Sequence, residues 1–170
     1  MRTQRGEGVI GRIEAETVRA GVAAGIAMGL LEVIVSLSSG ESALLPLRNA
    51  ASIILRDDAF GPNAAMIAFI GAIIHFSIAV IYGFAYGVLN SQIPWEKRVR
   101  SPRQAVLGIA FGTAIWLLDF QLIARFFYPS MLSYSQIGQW AVHAFGFGLP
   151  LGLLFADREP PLRFGEKPER

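Results

Sequence analysis

Apolar residues fall in four long blocks along this chain, separated by more polar connections. The blocks cover residues 17–37, 64–90, 104–127 and 136–156. Each is long enough to cross a hydrocarbon core of about 30 Å, which takes roughly 20 residues of α-helix. The pattern predicts an all-α membrane protein with four transmembrane helices in a bundle. The whole chain, residues 1–170, would then form one integral membrane domain.

The segments outside the blocks are expected to be simple, with one exception. Residues 1–16 are expected to form a cytoplasmic arm, and residues 158–170 a disordered tail. The exception is the first outer connection, residues 38–63, where apolar residues recur at near-helical spacing: Leu44, Leu45, Leu47, Ala51, Ile54 and Leu55. This spacing predicts a short helix that lies at the membrane interface.

One sequence phrase occurs twice. Residues 21–32 read GVAAGIAMGLLE and residues 108–119 read GIAFGTAIWLLD, with Gly, Ala, Leu and a terminal acid at matching positions. Each copy is followed by an outer connection and a block that contains one histidine. The chain is therefore predicted to consist of two parallel helical-hairpin repeats around a pseudo-two-fold axis. Glycines four residues apart also predict close helix packing, either within the bundle or between copies of a homo-oligomer.

Composition and charge agree with a membrane protein. Hydrophobic residues make up 53% of the chain and charged residues 16%, and the mean hydropathy is +0.46. Of the fifteen Lys and Arg residues, only Arg48, Arg56 and Arg125 lie on the side of the first and third connections. The positive-inside rule then places both termini in the cytoplasm. The net charge of +2 is a topology signal rather than a sign of nucleic-acid binding, and the absence of cysteine excludes thiol chemistry.

Four ionisable residues lie well inside the predicted spans: Glu32, His75, Asp119 and His143. At 1.5 Å per helical residue, they lie about 8 to 16 Å from the outer helix ends. Burial of ionisable groups in a membrane is costly, and such groups usually serve a function. Because the four residues come from four helices at similar depth, we predict that they converge on one intramembrane polar site.

The chemistry of this site is open at the sequence level. Acid–histidine sets relay protons in membrane proteins. The same four residues, His75, His143, Glu32 and Asp119, could ligate a divalent metal, and the two histidines could hold a haem b. Alternatively, the four residues only form hydrogen bonds between helices.

Several short stretches resemble the YagU-like family of small bacterial inner-membrane proteins. These stretches are Leu55-Arg56-Asp57, Asn63-Ala64-Ala65, His75-Phe76-Ser77 and Tyr82-Gly83. His143, ahead of an apolar run that ends in Asp157-Arg158, is similar to the last helix of that family. The resemblance implies a four-helix inner-membrane protein associated with acid stress, without an established reaction. The first outer connection here is shorter than in the family.

No phosphate-binding glycine loop, zinc-protease helix or serine-nucleophile elbow occurs in the sequence. No enzyme class is therefore predicted. We expect a small membrane protein, surrounded by the lipid bilayer, that handles protons or cations at the four-residue site. The alternatives are a metal- or haem-binding redox protein and a non-catalytic accessory subunit of a larger membrane complex.

Overall fold

The fold is almost entirely helical in the part of the chain that the computed structural model describes, residues 3–94 and 101–156. The elements are α1 (Thr3–Ser38), α2 (Leu45–Leu55), α3 (Ala64–Ser91), α4 (Ser101–Phe127) and α5 (Gln136–Ala156). Two short 3₁₀ turns, Arg56–Phe60 and Pro129–Ser133, lie in the connections.

Four of these helices are long and apolar enough to cross a membrane: the part of α1 over Glu16–Ser38, and all of α3, α4 and α5. This confirms the prediction of an all-α protein with four long apolar helices. Helix α1 already begins at Thr3, so it continues through most of the segment predicted as an arm. The predicted tail, residues 158–170, lies outside the described residues.

The outward faces of the four long helices are apolar. Large side chains that are more than half exposed include Leu30, Ile34, Phe69, Ile81, Leu122 and Ile137. Such a surface is unfavourable in water but matches lipid acyl chains. The helices therefore suit a multi-pass membrane protein in contact with the bilayer.

The bundle consists of two hairpins that pack through small residues. In the first hairpin, α1 and α3, a Cβ added to Gly83 would lie 2.7 Å from the Cα of Gly21. In the second hairpin, α4 and α5, a Cβ added to Gly108 would overlap the carbonyl oxygen of Gly148. Helix α1 also packs along α5, whereas α3 and α4 meet through long side chains. Space therefore remains between α3 and α4.

Helix α2 packs on one end of the bundle, which we call the α2 end. Its backbone lies against α3, because a Cβ on Gly71 would overlap the carbonyl oxygen of Leu47. The Arg48 guanidinium donates to the carbonyl oxygens of Ala59 and Gly61, at 2.9 and 3.0 Å. These bonds tie α2 to the chain that enters α3.

The opposite end of the bundle holds a neutral polar cluster. The Tyr86 hydroxyl donates to Gln104 Oε1 at 2.7 Å, and Gln104 Nε2 donates to Asn90 Oδ1 at 2.9 Å. Gln104 is fully buried. A smaller cavity of about 220 Å³ lies beside this cluster, and no acid or histidine is among the described residues that line it. Glu32, His75, Asp119 and His143 lie instead towards the α2 end.

Candidate functional site

A cavity of about 400 Å³ lies at the α2 end, between the four long helices. Its polar walls include all four residues singled out in the sequence: Glu32 from α1, His75 from α3, Asp119 from α4 and His143 from α5. Pro46, Asn49, Ala50 and Ile53 of α2 and Tyr128, Met131 and Tyr134 of the connection between α4 and α5 also line it. The structure thus places the four residues around one space, although they are not in mutual contact.

Glu32 and His75 face each other across the first hairpin. His75 Nε2 lies 2.9 Å from the carbonyl oxygen of Gly25. A carbonyl only accepts, so Nε2 must carry a hydrogen and donate. His75 Nδ1 then points toward Glu32 Oε2, at 4.0 Å. Among the described residues, the Glu32 carboxylate accepts no hydrogen bond, and the side chain is 17% exposed.

Asp119, in the second hairpin, is bound by a residue of the first hairpin. The Tyr82 hydroxyl donates to Asp119 Oδ1 at 2.6 Å and bridges the space between α3 and α4. The sequence pattern does not indicate this bond, because an aromatic residue in an apolar helix is more often a packing residue. One available signal was spacing: Tyr82 follows His75 by seven residues, or two helical turns, and therefore shares its face.

His143 is the most buried of the four residues, with only 6% of its surface exposed. Its Nδ1 lies 2.7 Å from the carbonyl oxygen of Gln139, one turn earlier, and must donate to it. In the neutral ring Nε2 is then an acceptor. Nε2 has no hydrogen-bond partner among the described residues. The ring edge packs against Phe120, with centroids 5.4 Å apart.

Asp119 and His143 both lie in π-helical turns, over Leu117–Ile123 in α4 and Val142–Gly148 in α5. At the ends of these turns, the Ala124 N–H donates to the Asp119 carbonyl, and the Leu149 N–H to the Ala144 carbonyl, each five residues back. The second turn ends just before Pro150, which has no N–H to continue an α-helical ladder. Such turns occur often at functional sites. Pro150 indicates a distorted helix near His143, whereas no sequence signal indicates the turn at Asp119.

The connections on either side of the cavity are joined above it. The Tyr134 hydroxyl donates to Asn49 Oδ1 at 2.9 Å, and the Tyr128 hydroxyl to the Ile53 carbonyl at 3.3 Å. Arg56 donates to the Phe127 carbonyl at 3.1 Å and lies over the Tyr128 ring at 4.4 Å. We call α2 together with residues 128–135 the roof of the cavity.

The cofactor hypotheses fit this arrangement poorly. In the described part of the chain, no three His, Cys, Asp or Glu side chains are placed to hold one metal ion. A haem between two histidines needs a nitrogen from each. His143 offers Nε2, but in His75 Nε2 is bound to Gly25 and Nδ1 faces Glu32. Ligation by His75 would thus require its ring to give up one of these contacts.

Comparison with known proteins gives no match, whether with family models, with curated proteins or with solved structures. The resemblance to the YagU-like family stays a prediction. The functional argument therefore depends on the geometry of the cavity.

Proposed function

We propose that this chain is a bacterial inner-membrane protein that handles protons or small cations at a site formed by Glu32, His75, Asp119 and His143. The observation that carries the proposal is that all four residues, from four separate helices, line one cavity. Intramembrane acids and histidines arranged in this way are typical of proton and cation pathways.

The Glu32–His75 pair supports proton handling. With a hydrogen on Nε2, neutral His75 presents the lone pair of Nδ1 to the Glu32 carboxylate. Two acceptors repel each other, so the arrangement is favourable only when a proton resides on Nδ1 or on the carboxyl group. The pair therefore favours uptake of one proton, on Nδ1 or on the carboxyl group, and release of that proton changes the charge of the cavity wall.

The charge balance of the cavity supports cation handling. Its described lining contains two carboxyl groups and two imidazoles but no Lys or Arg. A buried carboxylate without a counter-charge is costly, and a bound cation removes that cost. A residue with a purely structural role would be expected to form hydrogen bonds between helices. The Glu32 carboxylate accepts none in the described structure.

We further propose that both termini lie in the cytoplasm, as the distribution of Lys and Arg favours. Helix α2 would then lie at the outer interface of this membrane. We also propose that the two hairpins are related repeats. The α2 end, and with it the cavity, would be on the outer side.

Reconstitution into liposomes tests the function. A pH gradient is imposed, and internal pH is followed with a trapped dye. Wild-type protein should dissipate the gradient, and the double variant Glu32→Gln/Asp119→Asn should fall to the rate of empty liposomes. The matched control is Asp57→Asn/Asp58→Asn, which removes two exposed carboxylates outside the cavity and should retain the wild-type rate.

Undiminished flux in the Glu32→Gln/Asp119→Asn variant would refute proton handling at this site, as would a wild-type rate equal to that of empty liposomes. Helical circular dichroism and gel-filtration elution check that each variant is folded. If the double variant does not fold, the two single variants replace it, and each should slow the flux.

A further inference from the structure

We propose that the cavity binds a primary or secondary ammonium ion that carries an apolar body. This inference rests on the proposed function, since it specifies which cation the site accepts. It depends on three features of the cavity: its size, its apolar walls and the kind of hydrogen-bonding group that remains free in it.

The size and walls fit an organic ligand better than a bare ion. A volume of about 400 Å³ lies in the range of small-molecule sites, roughly 300–1,000 Å³. Most lining residues are apolar or aromatic, among them Met28, Ile78, Phe120 and Phe147. A proton or an inorganic ion would leave these walls without contacts. An apolar body would bury them, and the aromatic rings favour a cation close by.

Most of the O–H and N–H groups that line the cavity already donate hydrogen bonds within the protein. The hydroxyls of Tyr82, Tyr128 and Tyr134 donate to Asp119, to the Ile53 carbonyl and to Asn49. The histidines donate to backbone carbonyls, as described above. Among the described polar side chains that line the cavity, only the carboxamides of Asn49 and Gln139 keep N–H groups with no partner.

What remains toward the cavity is therefore mainly a set of acceptors. These are both oxygens of Glu32, the second oxygen of Asp119 and Nε2 of His143. His143 is more than nine-tenths buried, and its Nε2 has no partner among the described residues. Free acceptors on the cavity wall favour a ligand that donates hydrogen bonds to them. A primary or secondary ammonium group donates two or three and also supplies the missing positive charge.

No Lys or Arg side chain is among the described residues that line the cavity, so none supplies this positive charge. The Arg56 guanidinium lies over the Tyr128 ring, donates to the Phe127 carbonyl and is exposed. Arg48 and Arg125 are bound elsewhere, to backbone carbonyls and to Gln121. The site is thus complementary to an external ammonium ion.

Equilibrium dialysis of the full-length protein in detergent tests the inference with three matched probes at neutral pH. 2-Phenylethylamine, protonated under these conditions, has both charge and N–H donors. 2-Phenylethanol has no charge, and trimethyl(2-phenylethyl)ammonium has charge without N–H groups. Protein-free micelles correct for partitioning. The protonated amine should bind saturably, and the other two should bind about tenfold or more weakly, since hydrogen bonds to charged groups are lost.

Variants locate the site. Glu32→Gln and Asp119→Asn should each weaken binding of the protonated amine by about tenfold or more. Asp58→Asn, at an exposed carboxylate outside the cavity, should bind like wild type. Equal binding of the three probes, no saturable binding, or amine binding unchanged in both cavity variants would overturn the inference. If a variant does not fold, the difference in binding of the three probes to the wild-type protein tests the inference.

The two proposals fail separately, because the liposome experiment contains no amine. Proton flux without amine binding would keep the proposed function and reject the ammonium ligand. Amine binding without proton flux would keep a cation site and reject proton handling.

Discussion

The two hairpins carry the same acid–histidine pattern but use it differently. In the first hairpin Glu32 and His75 lie in regular α-helices and face each other at 4.0 Å. In the second, Asp119 is bound by Tyr82 from the first hairpin, and His143 is bound to its own backbone. The second hairpin thus provides one acid that links the two hairpins and one imidazole with a free acceptor.

The π-helical turns offer a physical reason for this difference. A π turn accommodates one more residue than an α turn, and one residue corresponds to a rotation of about 100° around the helix. Side chains on either side of the turn therefore no longer share the face that an α-helix would give them. Matching sequence spacings can then place matching residues in different surroundings. Four predictions test this comparison, from the largest expected effect to the smallest.

The second hairpin should be the less tolerant of added volume. A Cβ at Gly108 would overlap the Gly148 carbonyl oxygen, whereas at Gly21 it would lie 2.8 Å from the Ala79 oxygen. At Gly29 the nearest atom, His75 Nε2, would be at an ordinary 3.6 Å. Gly108→Ala should lower the free energy of unfolding by about 1–3 kcal/mol. Gly21→Ala should have a smaller effect, and Gly29→Ala should stay within about 0.5 kcal/mol.

Unfolding of the purified variants in SDS titrations, followed by circular dichroism, measures these differences. The reverse order, with Gly29→Ala the most destabilising, would show that the close approach of α4 and α5 does not limit stability.

The acid of the second hairpin should be the more strongly coupled to its partner. A double-mutant cycle of Tyr82→Phe and Asp119→Asn should give a coupling of about 1.5–3 kcal/mol, as expected for a short hydrogen bond to a carboxylate. The cycle of Glu32→Gln and His75→Asn should give less than about 1 kcal/mol, because 4.0 Å exceeds hydrogen-bond distance. Free energies of unfolding measure both cycles, and equal couplings would contradict the difference between the hairpins.

Arg56, directly after α2, should hold the two parts of the roof together. This residue has a positive φ of 53°, a strained conformation outside glycine, and its guanidinium makes two contacts with the 126–135 region. Arg56→Ala removes both contacts and should lower the local opening free energy of α2 by about 1 kcal/mol. Amide hydrogen exchange in α2 should then be several-fold faster.

Arg125→Ala is the matched control for the roof. The Arg125 guanidinium is exposed and binds Gln121 in its own helix, so its loss should leave exchange in α2 unchanged. Equal acceleration by both variants would indicate a general loss of stability rather than release of the roof.

The smallest effect is expected at Pro150, which follows the π turn of α5. Pro150→Ala supplies an N–H that can donate to the Gly146 carbonyl and so favours α-helical geometry near His143. Stability should change by less than about 1 kcal/mol, while the ¹⁵N resonances of the His143 ring should shift. Pro62→Ala, outside the cavity lining, is the control and should leave those resonances unchanged.

The fold was largely predictable because lipid imposes a strong constraint. Every backbone polar group in the hydrocarbon core must be bonded internally, so apolar blocks of this length form helices. The composition of residues 64–90 alone is sufficient to predict α3, and the structure has it at Ala64–Ser91. The helix in the first connection was also visible in the spacing of its apolar residues, and α2 spans Leu45–Leu55.

The set of candidate residues was predictable for a related reason. Acids and histidines are rare inside apolar helices, so Glu32, His75, Asp119 and His143 stand out, and helical rise gives their depth. Their partners were not predictable. The bond between Tyr82 and Asp119 depends on how α3 and α4 are rotated, and no local pattern in either helix records that rotation.

The sequence by itself determined which segments are helices and how far along them the ionisable residues lie, since these follow from local hydropathy and fixed helical rise. Only the tertiary structure decided that the four residues surround one cavity, that α2 and residues 128–135 cover it, and that Asp119 pairs with Tyr82 rather than with His143. Those features depend on helix rotation, on the π turns and on contacts between distant segments. Each is a sum of many weak interactions that no single stretch of sequence specifies.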